Sequence, residues 1–386
     1  MLQPLVAAIA LAAIPLDEGI SFVFLVALTI SYARKDNRLN FSEERWINYL
    51  FTSCVLGSAA FAVPKEVVYA AVFASLAHDV RGGLLRNLAA YFTLGFAYLS
   101  IANFASLADR VFVAISGAMA ASLVESIETR ADKRVATLLA LATAYEVFSV
   151  YLPRTSLEEL TFALAVSAIV SYAAMKAGVA DKSGLLAAML ACTIVLLFSD
   201  IRHFVLLLLF FALGSAITKY KYDVKLQRGI AEQAGGARGY ANVLGNSLPA
   251  LFFAMNSSYG FTPAFVASVA TALADTMASE VGKTADNVYL ITNLKPVKPG
   301  ESGGVSAIGE LAALAGCALT AVTAYALGMV DLVEALAVVA SSFVGVHVDS
   351  LLGATLEKKG YLTNSGVNLL GTLSGGLLCF ALTTLT

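Results

Sequence analysis

The stretch His203–Thr218, "HFVLLLLFFALGSAIT", is almost entirely apolar, and so is Leu311–Val330, "LAALAGCALTAVTAYALGMV". Runs of this kind recur along the whole chain, and each is about long enough to cross a hydrocarbon core of roughly 30 Å as a helix. Of the 386 residues, 59% are hydrophobic and 13% are charged, whereas roughly a quarter are charged in a typical soluble domain. The sequence therefore predicts an all-α, polytopic integral membrane helical bundle and leaves no soluble domain over.

The apolar runs divide into helical segments, several of which are short enough to be half-membrane or re-entrant helices. We expect about 12 to 15 transmembrane or half-membrane helices, since a full span needs about 20 apolar residues. The first run, "LVAAIALAAIP", has no basic residue before it, so we expect no cleaved signal peptide. The four cysteines are isolated, which argues against a disulfide framework or a thiolate metal site. The segments are centred near residues 10, 26, 54, 72, 95, 118, 143, 167, 191, 209, 248, 272, 316, 341 and 374.

Positive charge is concentrated in alternate connections between these segments. Of the 25 lysines and arginines, only Lys65, Arg110, Arg154 and Arg202 lie in the other connections. Because positively charged loops stay in the cytoplasm, we predict a multi-pass protein of the cell membrane with the basic connections on the cytoplasmic side. These connections are residues 34–45, 79–86, 128–134, 176–183, 219–238, 283–303 and 351–363.

One predicted helix carries a cluster of polar side chains. The stretch Ala270–Lys283, "ATALADTMASEVGK", contains Asp275, Thr276, Ser279 and Glu280. Their spacing places them on one side of a helix, and that side cannot face lipid. Ionisable groups at membrane depth are costly, so each one is a candidate functional residue.

Further polar stripes are predicted near the same membrane face. The ordinary alternative is that such residues hold helices together through hydrogen bonds. Carboxylate and amide oxygens also suit Mg²⁺, which proteins hold with one or two carboxylates plus substrate phosphates. We therefore predict a polar pocket that binds a metal and phosphate. The additional stripes are Arg238, Asn242 and Asn246; Asp349, Gly353 and Glu357; and Asn364 with Asn368.

The segment Thr292–Gly309, "TNLKPVKPGESGGVSAIG", has the composition of an anion-binding loop. Glycines let backbone N–H groups approach an anion, a helix N-terminus adds partial positive charge, and lysines supply counter-charge. The GxxxxGK[ST] pattern of a Walker motif is absent, and a glycine-rich loop alone is more often a plain turn. We predict that Ser306 caps an apolar helix. The candidate phosphate-binding residues here are Lys295, Lys298, Gly300, Gly303, Gly304 and Ser306.

Other ionisable residues lie in or near apolar segments. Glu310 follows the glycine-rich loop and is expected in the pocket or at its rim, whereas the sequence offers no partner for Glu146. His347 lies two residues before Asp349, but with three histidines in the chain we expect no histidine-based metal site.

Four motifs resemble, in order and at similar spacing, those of the integral membrane family that includes plant phytyl-phosphate kinase. The resemblance covers about residues 180–386. The motifs are "GARGYANVLGN" (236–246), "ATALADTMASEVGK" (270–283), "LITNLKPVKPGESGGVSAIG" (290–309) and "VDSLLGATLEKKGYLTNSGVN" (348–368).

A fainter resemblance lies upstream. The stretch "SGAMAASLVESIETRADKR" (116–134) is similar to a segment of dolichol and phytol kinases in which a Glu precedes an Asp-Asp-Asn triplet. Glu125 is kept, but the triplet reads Ala131, Asp132 and Lys133. We therefore predict that residues 1–155 form an N-terminal transmembrane region, a degenerate polyprenol-kinase-like scaffold, and that 156–386 carry the site.

The resemblance implies transfer of a phosphoryl group from a nucleoside triphosphate, with CTP favoured, to an isoprenoid monophosphate. Asp275, Glu280 and Asp349 fall at family motif positions and would be the catalytic Mg²⁺ ligands, with Glu357 as a further ligand. Arg238, Lys298 and the Gly300–Gly304 backbone would hold phosphates. The remaining polar residues would bind or orient substrate, the asparagines also the waters on the metal: Asn242, Asn246, Thr276, Ser279, Lys295, Ser306, Asn364 and Asn368.

Two other functions fit the same residues, an ion-coupled transporter and a cytidylyltransferase. Broken helices with Gly, Asn and Asp near their ends also build ion-coupled transporters, although the polar residues here crowd towards one membrane face. A CTP-dependent lipid-phosphate cytidylyltransferase would need the same ligands and would attack a different phosphorus. The partners expected are an isoprenoid lipid phosphate, a nucleotide and membrane lipids, without nucleic acid, and a homo-oligomer is left open.

Overall fold

The computed structural model describes residues 2–33, 38–80 and 82–385, without the side chains of Gln233 and Ala234. Three basic residues that contribute to the predicted cytoplasmic charge lie outside the described residues, namely Arg34, Lys35 and Arg81.

The described chain is mostly helical, and every predicted segment centre lies within a helix. Eight helices of the described part are long and apolar enough to cross a membrane by length and composition. Three shorter apolar helices accompany them: Leu2–Ala12, Glu18–Ala33 and Lys182–Phe198. The prediction of a polytopic all-α membrane protein is confirmed.

The chain divides into two compact units, Met1–Phe162 and Ala163–Thr386. The predicted boundary after residue 155 rests on the resemblance and stays a prediction. The helices of the first unit are α1 (Leu2–Ala12), α2 (Glu18–Ala33), α3 (Trp46–Ala59), α4 (Lys65–Ala74), α5 (Leu84–Ile101), α6 (Leu107–Ser126) and α7 (Lys133–Val150).

Two acidic residues of the stretch 116–134 in the first unit form local hydrogen bonds. Asp132 caps α7 by accepting a bond from the N–H of Val135 at 3.2 Å. Glu125 Oε1 accepts a bond from the Tyr91 hydroxyl at 2.8 Å and lies 2.6 Å from His78 Nδ1. Both acidic side chains are thus satisfied within this unit, as buried polar groups generally are.

The second unit contains the longest helices. Helix α8 (Leu157–Lys176) begins just before it, and α15 continues into a π-helical turn at Gly353–Glu357. The other helices are α9 (Lys182–Phe198), α10 (Ile201–Thr218), α11 (Tyr222–Gln227), α12 (Tyr240–Met255), α13 (Thr262–Gly282), α14 (Ala307–Ala326), α15 (Leu332–Leu352) and α16 (Asn364–Thr384).

Helix α13 lies at the centre of the second unit and packs against α10, α12, α14, α15 and α16. Small residues allow this close approach. A Cβ added to Gly316 would lie 2.8 Å from the Cα of Ala274, and one added to Gly345 would lie 2.9 Å from Thr271 Cγ2. Among the polar residues of α13, Glu280 is buried and Asp275 and Thr276 are half-buried, whereas Ser279 is exposed.

A small antiparallel sheet, which the sequence did not predict, fills the connection between α13 and α14. Its strands are β1 (Val288–Leu290), β2 (Pro296–Val297) and β3 (Gly304–Val305), in the order β2-β1-β3. Val288 pairs with Val297, and Leu290 pairs with Gly304. The glycine-rich loop therefore returns to the end of α13 and leads directly into α14.

Candidate active site

A cavity of about 630 Å³ lies among the ends of α12, α13, α15 and α16, the glycine-rich loop and the start of α14. All but two of the predicted site residues line it. They are Arg238, Asn242, Asn246, Asp275, Thr276, Ser279, Glu280, Gly300, Gly303, Gly304, Ser306, Asp349, Glu357, Asn364 and Asn368.

The two predicted residues outside the lining are Lys295 and Lys298. Both side chains are exposed on the sheet connection. Lys283, at the end of α13, is in the lining and supplies positive charge at the cavity wall instead. Glu310, expected in the pocket or at its rim, also lines the cavity.

Three carboxylates in the lining have no partner. Asp275 on α13, Asp349 on α15 and Glu357 in the π turn form no hydrogen bond or ion pair with any described residue. They are near enough for their negative charges to repel one another. Helix α16 fixes one of them closely, since a Cβ on Gly371 would lie 3.0 Å from Asp349 Oδ2. All three residues are half-buried, and unpaired like charges that are partly removed from water are costly, so this arrangement fits a bound cation.

Arg238 presents the opposite charge in the same cavity. Its backbone is fixed by the segment before α9: its N–H donates to Val179 O at 2.9 Å, and its carbonyl accepts from the Asp181 N–H at 3.2 Å. The guanidinium lies 5.3 Å from the centre of the Phe210 ring. Gly214 leaves the space for it, because a Cβ there would lie 2.6 Å from Arg238 Nη2.

The guanidinium of Arg238 lacks an anionic partner. The residue is 8% exposed, and its Nη1 is buried without a hydrogen bond in the described structure. Buried charges are normally paired, and a guanidinium binds carboxylates and phosphates with two parallel hydrogen bonds. An anionic ligand would supply the missing partner.

Two asparagines on α12 offer unused acceptors. Asn246 Nδ2 donates to the carbonyl of Asn242 at 2.8 Å, which fixes the orientation of the Asn246 amide. The Oδ1 atoms of both residues are buried without a partner among the described residues. They can accept hydrogen bonds from a ligand or from the waters on a metal.

Glu280 has a different environment from the other carboxylates. Its Oε2 forms an ion pair with Lys225, and its Oε1 lies 2.7 Å from Lys283 Nζ. Lys225 is fully buried in α11 and also donates to the carbonyl of Thr218 at 2.6 Å. Because both carboxylate oxygens are engaged by ammonium groups, this geometry does not fit the predicted role of Glu280 as a metal ligand.

Lys283 remains positively charged. Burial lowers the pKa of its ammonium, but hydrogen bonds to Glu232 and Glu280 outweigh this effect and hold the pKa above its usual value. The bond to Glu232 Oε1 is 2.7 Å long. Lys283 is therefore a permanent cation at the wall of the cavity.

Replacing Lys225 with methionine is expected to destabilise the protein. Removing one partner of a buried ion pair leaves the other charge poorly compensated, at a cost of about 3 kcal/mol. Thermal unfolding in detergent would show this as a lower melting temperature. The double variant Lys225→Met/Glu280→Gln should recover most of the loss, and a single variant as stable as the wild type would contradict the structural role assigned to this pair.

The glycine-rich loop is closely fitted to the end of α15. Gly303 has a φ of 77°, and a Cβ there would lie 2.7 Å from the carbonyl of Ser350. Ser306 caps α14 by accepting a hydrogen bond from the Gly309 N–H at 3.2 Å, which confirms the predicted N-cap. Both residues line the cavity, so the N-terminus of α14 directs its partial positive charge towards it.

The donor set suits a divalent cation whose remaining ligands are water or phosphate oxygens. No three His, Cys, Asp or Glu side chains of the described part are grouped so that they could hold a metal on their own. Mg²⁺ is commonly bound by one or two carboxylates plus substrate phosphates and water. One or two of the unpaired carboxylates, completed by phosphate and water, would fit that mode of binding.

Each of three relatives matches about half of the chain. An uncharacterized membrane protein of Synechocystis is 36% identical over 190 residues, which are 47% of this chain and 74% of the relative. An uncharacterized membrane protein of Methanocaldococcus jannaschii is 30% identical over 202 residues, 51% of this chain and 83% of the relative. The chloroplastic protein VTE6 of Arabidopsis thaliana is 32% identical over 209 residues, 51% of this chain and 63% of VTE6. No solved structure matches significantly.

The profile of one protein family, described as integral membrane protein DUF92, matches residues 165–376. This range is more than half of the chain and contains every residue that lines the cavity. The chain therefore belongs to the integral membrane protein family DUF92.

Proposed function

We propose that this protein is a membrane prenyl-phosphate kinase. It would transfer the γ-phosphoryl group of a nucleoside triphosphate, with CTP favoured, to an isoprenoid monophosphate in a Mg²⁺-dependent reaction. The observation that carries the proposal is that three carboxylates and a buried guanidinium share one cavity and lack partners within the described structure. Unpaired carboxylates suit a divalent cation and an unpaired guanidinium suits phosphate, and phosphoryl transfer needs both.

The lipid acceptor is supported by resemblance. The four motifs at 236–246, 270–283, 290–309 and 348–368 resemble the family that includes plant phytyl-phosphate kinase, and all four contribute residues to the cavity. The chain spans less than two thirds of VTE6, so this lipid acceptor rests on the motifs alone.

The proposed roles follow from position and charge. Asp275 and Asp349 would hold Mg²⁺, which when bound neutralises charge on the phosphates. Arg238, Lys283 and the N-terminus of α14 would hold and orient the phosphate groups. Catalysis of phosphoryl transfer is mostly positioning and electrostatic stabilisation, and these residues can provide both.

The bond changes need no strong base in the protein. An oxygen of the acceptor phosphate forms a bond to the γ-phosphorus, the bond from that phosphorus to the bridging oxygen breaks, and the nucleoside diphosphate leaves. The attacking oxygen is already anionic. No histidine is among the described residues that line the cavity.

Label transfer would test the proposal and separate it from a cytidylyltransferase. Purified full-length protein is incubated with a prenyl monophosphate, Mg²⁺ and CTP labelled at either the α or the γ phosphorus. The kinase predicts that the lipid product carries label from the γ position only. Label from the α position alone would indicate a cytidylyltransferase, and transport of the phosphate without any labelled lipid would indicate a transporter.

We further propose that the cavity opens towards the cytoplasm, as the charge distribution predicts. Thr292 is exposed in the connection 283–303, and the native cysteines are buried or half-buried. A Thr292→Cys variant should therefore react with an impermeant maleimide only in inverted vesicles. Reaction in intact cells would contradict this orientation.

A further inference from the structure

Asp349 and Glu357 are eight residues apart at the end of α15. In a continuous α-helix, two turns take up about 7.2 residues, so Glu357 would be rotated about 80° away from Asp349. The segment Gly353–Glu357 is instead a π-helical turn. A π turn, with i→i+5 bonds, takes up about one residue more than an α turn, so that one α turn and one π turn together span about eight residues. Glu357 therefore lies two whole turns after Asp349, on the same face.

The cavity has independent signs that it is built for a ligand. Arg238 and Asn246 line it, are 8% and 3% exposed, and carry buried polar atoms without partners in the described chain. The carboxylates therefore share the cavity with an unpartnered guanidinium just before α12 and an unpartnered amide oxygen on α12. A cation with an attached anion would satisfy both sets.

The π turn also supports the glycine-rich loop. A Cβ added to Gly353 would lie 3.3 Å from the backbone N of Gly303 and 3.4 Å from Glu357 Oε2. Lys358, directly after the turn, forms an ion pair of 2.5 Å with Glu301 in the loop. The turn thus brings the Glu357 carboxylate and the loop backbone to the same place.

We propose that the π turn is a positioning element that aligns Glu357 with Asp349, so that these two carboxylates bind one divalent cation. Glu280 is outside this pair, because Lys225 and Lys283 occupy its oxygens. The inference rests on the proposed function, since it assumes that the cavity binds a cation. It adds Glu357 as a carboxylate that binds the cation together with Asp349, and it explains why the helix departs from α geometry at this point.

A register test can examine the alignment through Mn²⁺ alone. The dissociation constant of Mn²⁺ is measured by electron paramagnetic resonance on the purified full-length chain. We expect Glu357→Gln to weaken Mn²⁺ binding at least tenfold, whereas Glu158→Gln, an exposed carboxylate outside the cavity, should leave it unchanged. In the double variant Glu357→Gln/Leu356→Glu, the carboxylate lies seven residues after Asp349. A carboxylate at that position faces the cavity only if the segment is α-helical. Because the segment is a π turn, we expect the double variant not to recover Mn²⁺ affinity.

Deleting Thr355 gives the converse test. The deletion brings Glu357 to seven residues after Asp349 and removes the extra residue, so the helix can continue as α with the carboxylates still aligned. We expect Mn²⁺ affinity within about threefold of the wild type. If the deletion variant does not fold, the double variant Glu357→Gln/Leu356→Glu decides alone. Recovery of Mn²⁺ binding in that double variant would overturn the proposal.

Asp349→Asn separates this inference from the proposed function. If Asp349→Asn leaves Mn²⁺ affinity unchanged, the cavity has no cation site there, and the kinase proposal fails with it. If Asp349→Asn loses Mn²⁺ while Glu357→Gln keeps it, only the pairing through the π turn is wrong. Loss of affinity in both variants without recovery at 356 supports the pairing.

Discussion

Asp349→Asn is expected to lower turnover at least about a hundredfold while raising the melting temperature of the protein without ligands. The first effect follows because a metal-bound carboxylate contributes several kcal/mol, and each 1.4 kcal/mol is worth about tenfold in rate. The second follows because Asp275, Asp349 and Glu357 lie unpaired in one cavity, so that removing one negative charge relieves their repulsion. When the charges of a functional site destabilise the protein without its ligand, removing one of them lowers activity and raises stability.

Both effects can be measured on one preparation. Turnover is followed by γ-label transfer, and stability by thermal unfolding in detergent without Mg²⁺ or nucleotide. Asp223→Asn is the matched control, since Asp223 is exposed and lies outside the cavity. Normal turnover in Asp349→Asn would exclude Asp349 as a cation ligand, and a lower melting temperature together with lost turnover would point to a structural role.

Arg238→Met is expected to abolish nucleotide binding while leaving the protein without ligands at least as stable as the wild type. Methionine is similar in length and can keep a contact with Phe210. The substitution removes a buried charge that has no partner in the described structure, and replacing such a charge with an apolar side chain is often neutral or stabilising. Loss of the phosphate contact should cost about a hundredfold or more in kcat/KM.

A second variant tests the same group without changing it. Gly214→Ala would place a methyl group 2.6 Å from Arg238 Nη2 and displace the guanidinium. We expect a raised KM for nucleotide with a smaller change in kcat, because the charge is kept but is misplaced. Gly366→Ala is the matched control, since a Cβ there meets its nearest atoms at 3.6 Å. Unchanged kinetics in both Arg238→Met and Gly214→Ala would remove Arg238 from the site.

Much of the fold could be predicted because a membrane helix is recognisable from one run of consecutive residues. Hydrophobic length located every long helix, and polar residues at helical spacing located the residues that line the cavity. The N-cap Ser306 was also visible, because a cap needs only the residues beside it. These features depend on neighbours within a few positions along the chain.

The features that were missed depend on distant contacts. Lys225 is 55 residues from Glu280, and nothing in its polar surroundings indicates that α11 buries it completely. As a result, Glu280 was predicted as a metal ligand although two lysines engage it. Lys295 and Lys298 were predicted as phosphate ligands from composition, but the unpredicted sheet carries them outside the cavity lining.

The π turn illustrates a third kind of limit. The stripe of Asp349, Gly353 and Glu357 was recognised by spacing, yet a spacing of eight residues is off-register in an α-helix. Only the structure reveals the extra residue in the turn that brings Glu357 back to the face of Asp349.

We propose that one cavity binds a cation and a nucleotide phosphate together. The most direct measurement is equilibrium binding of CTP to the purified protein, by calorimetric titration, with Mg²⁺ and with EDTA. We expect the affinity for CTP to fall at least tenfold in EDTA, and both Asp349→Asn and Arg238→Met to abolish Mg²⁺-dependent binding. CTP binding that is unaffected by EDTA and by both substitutions would exclude a joint site for cation and phosphate.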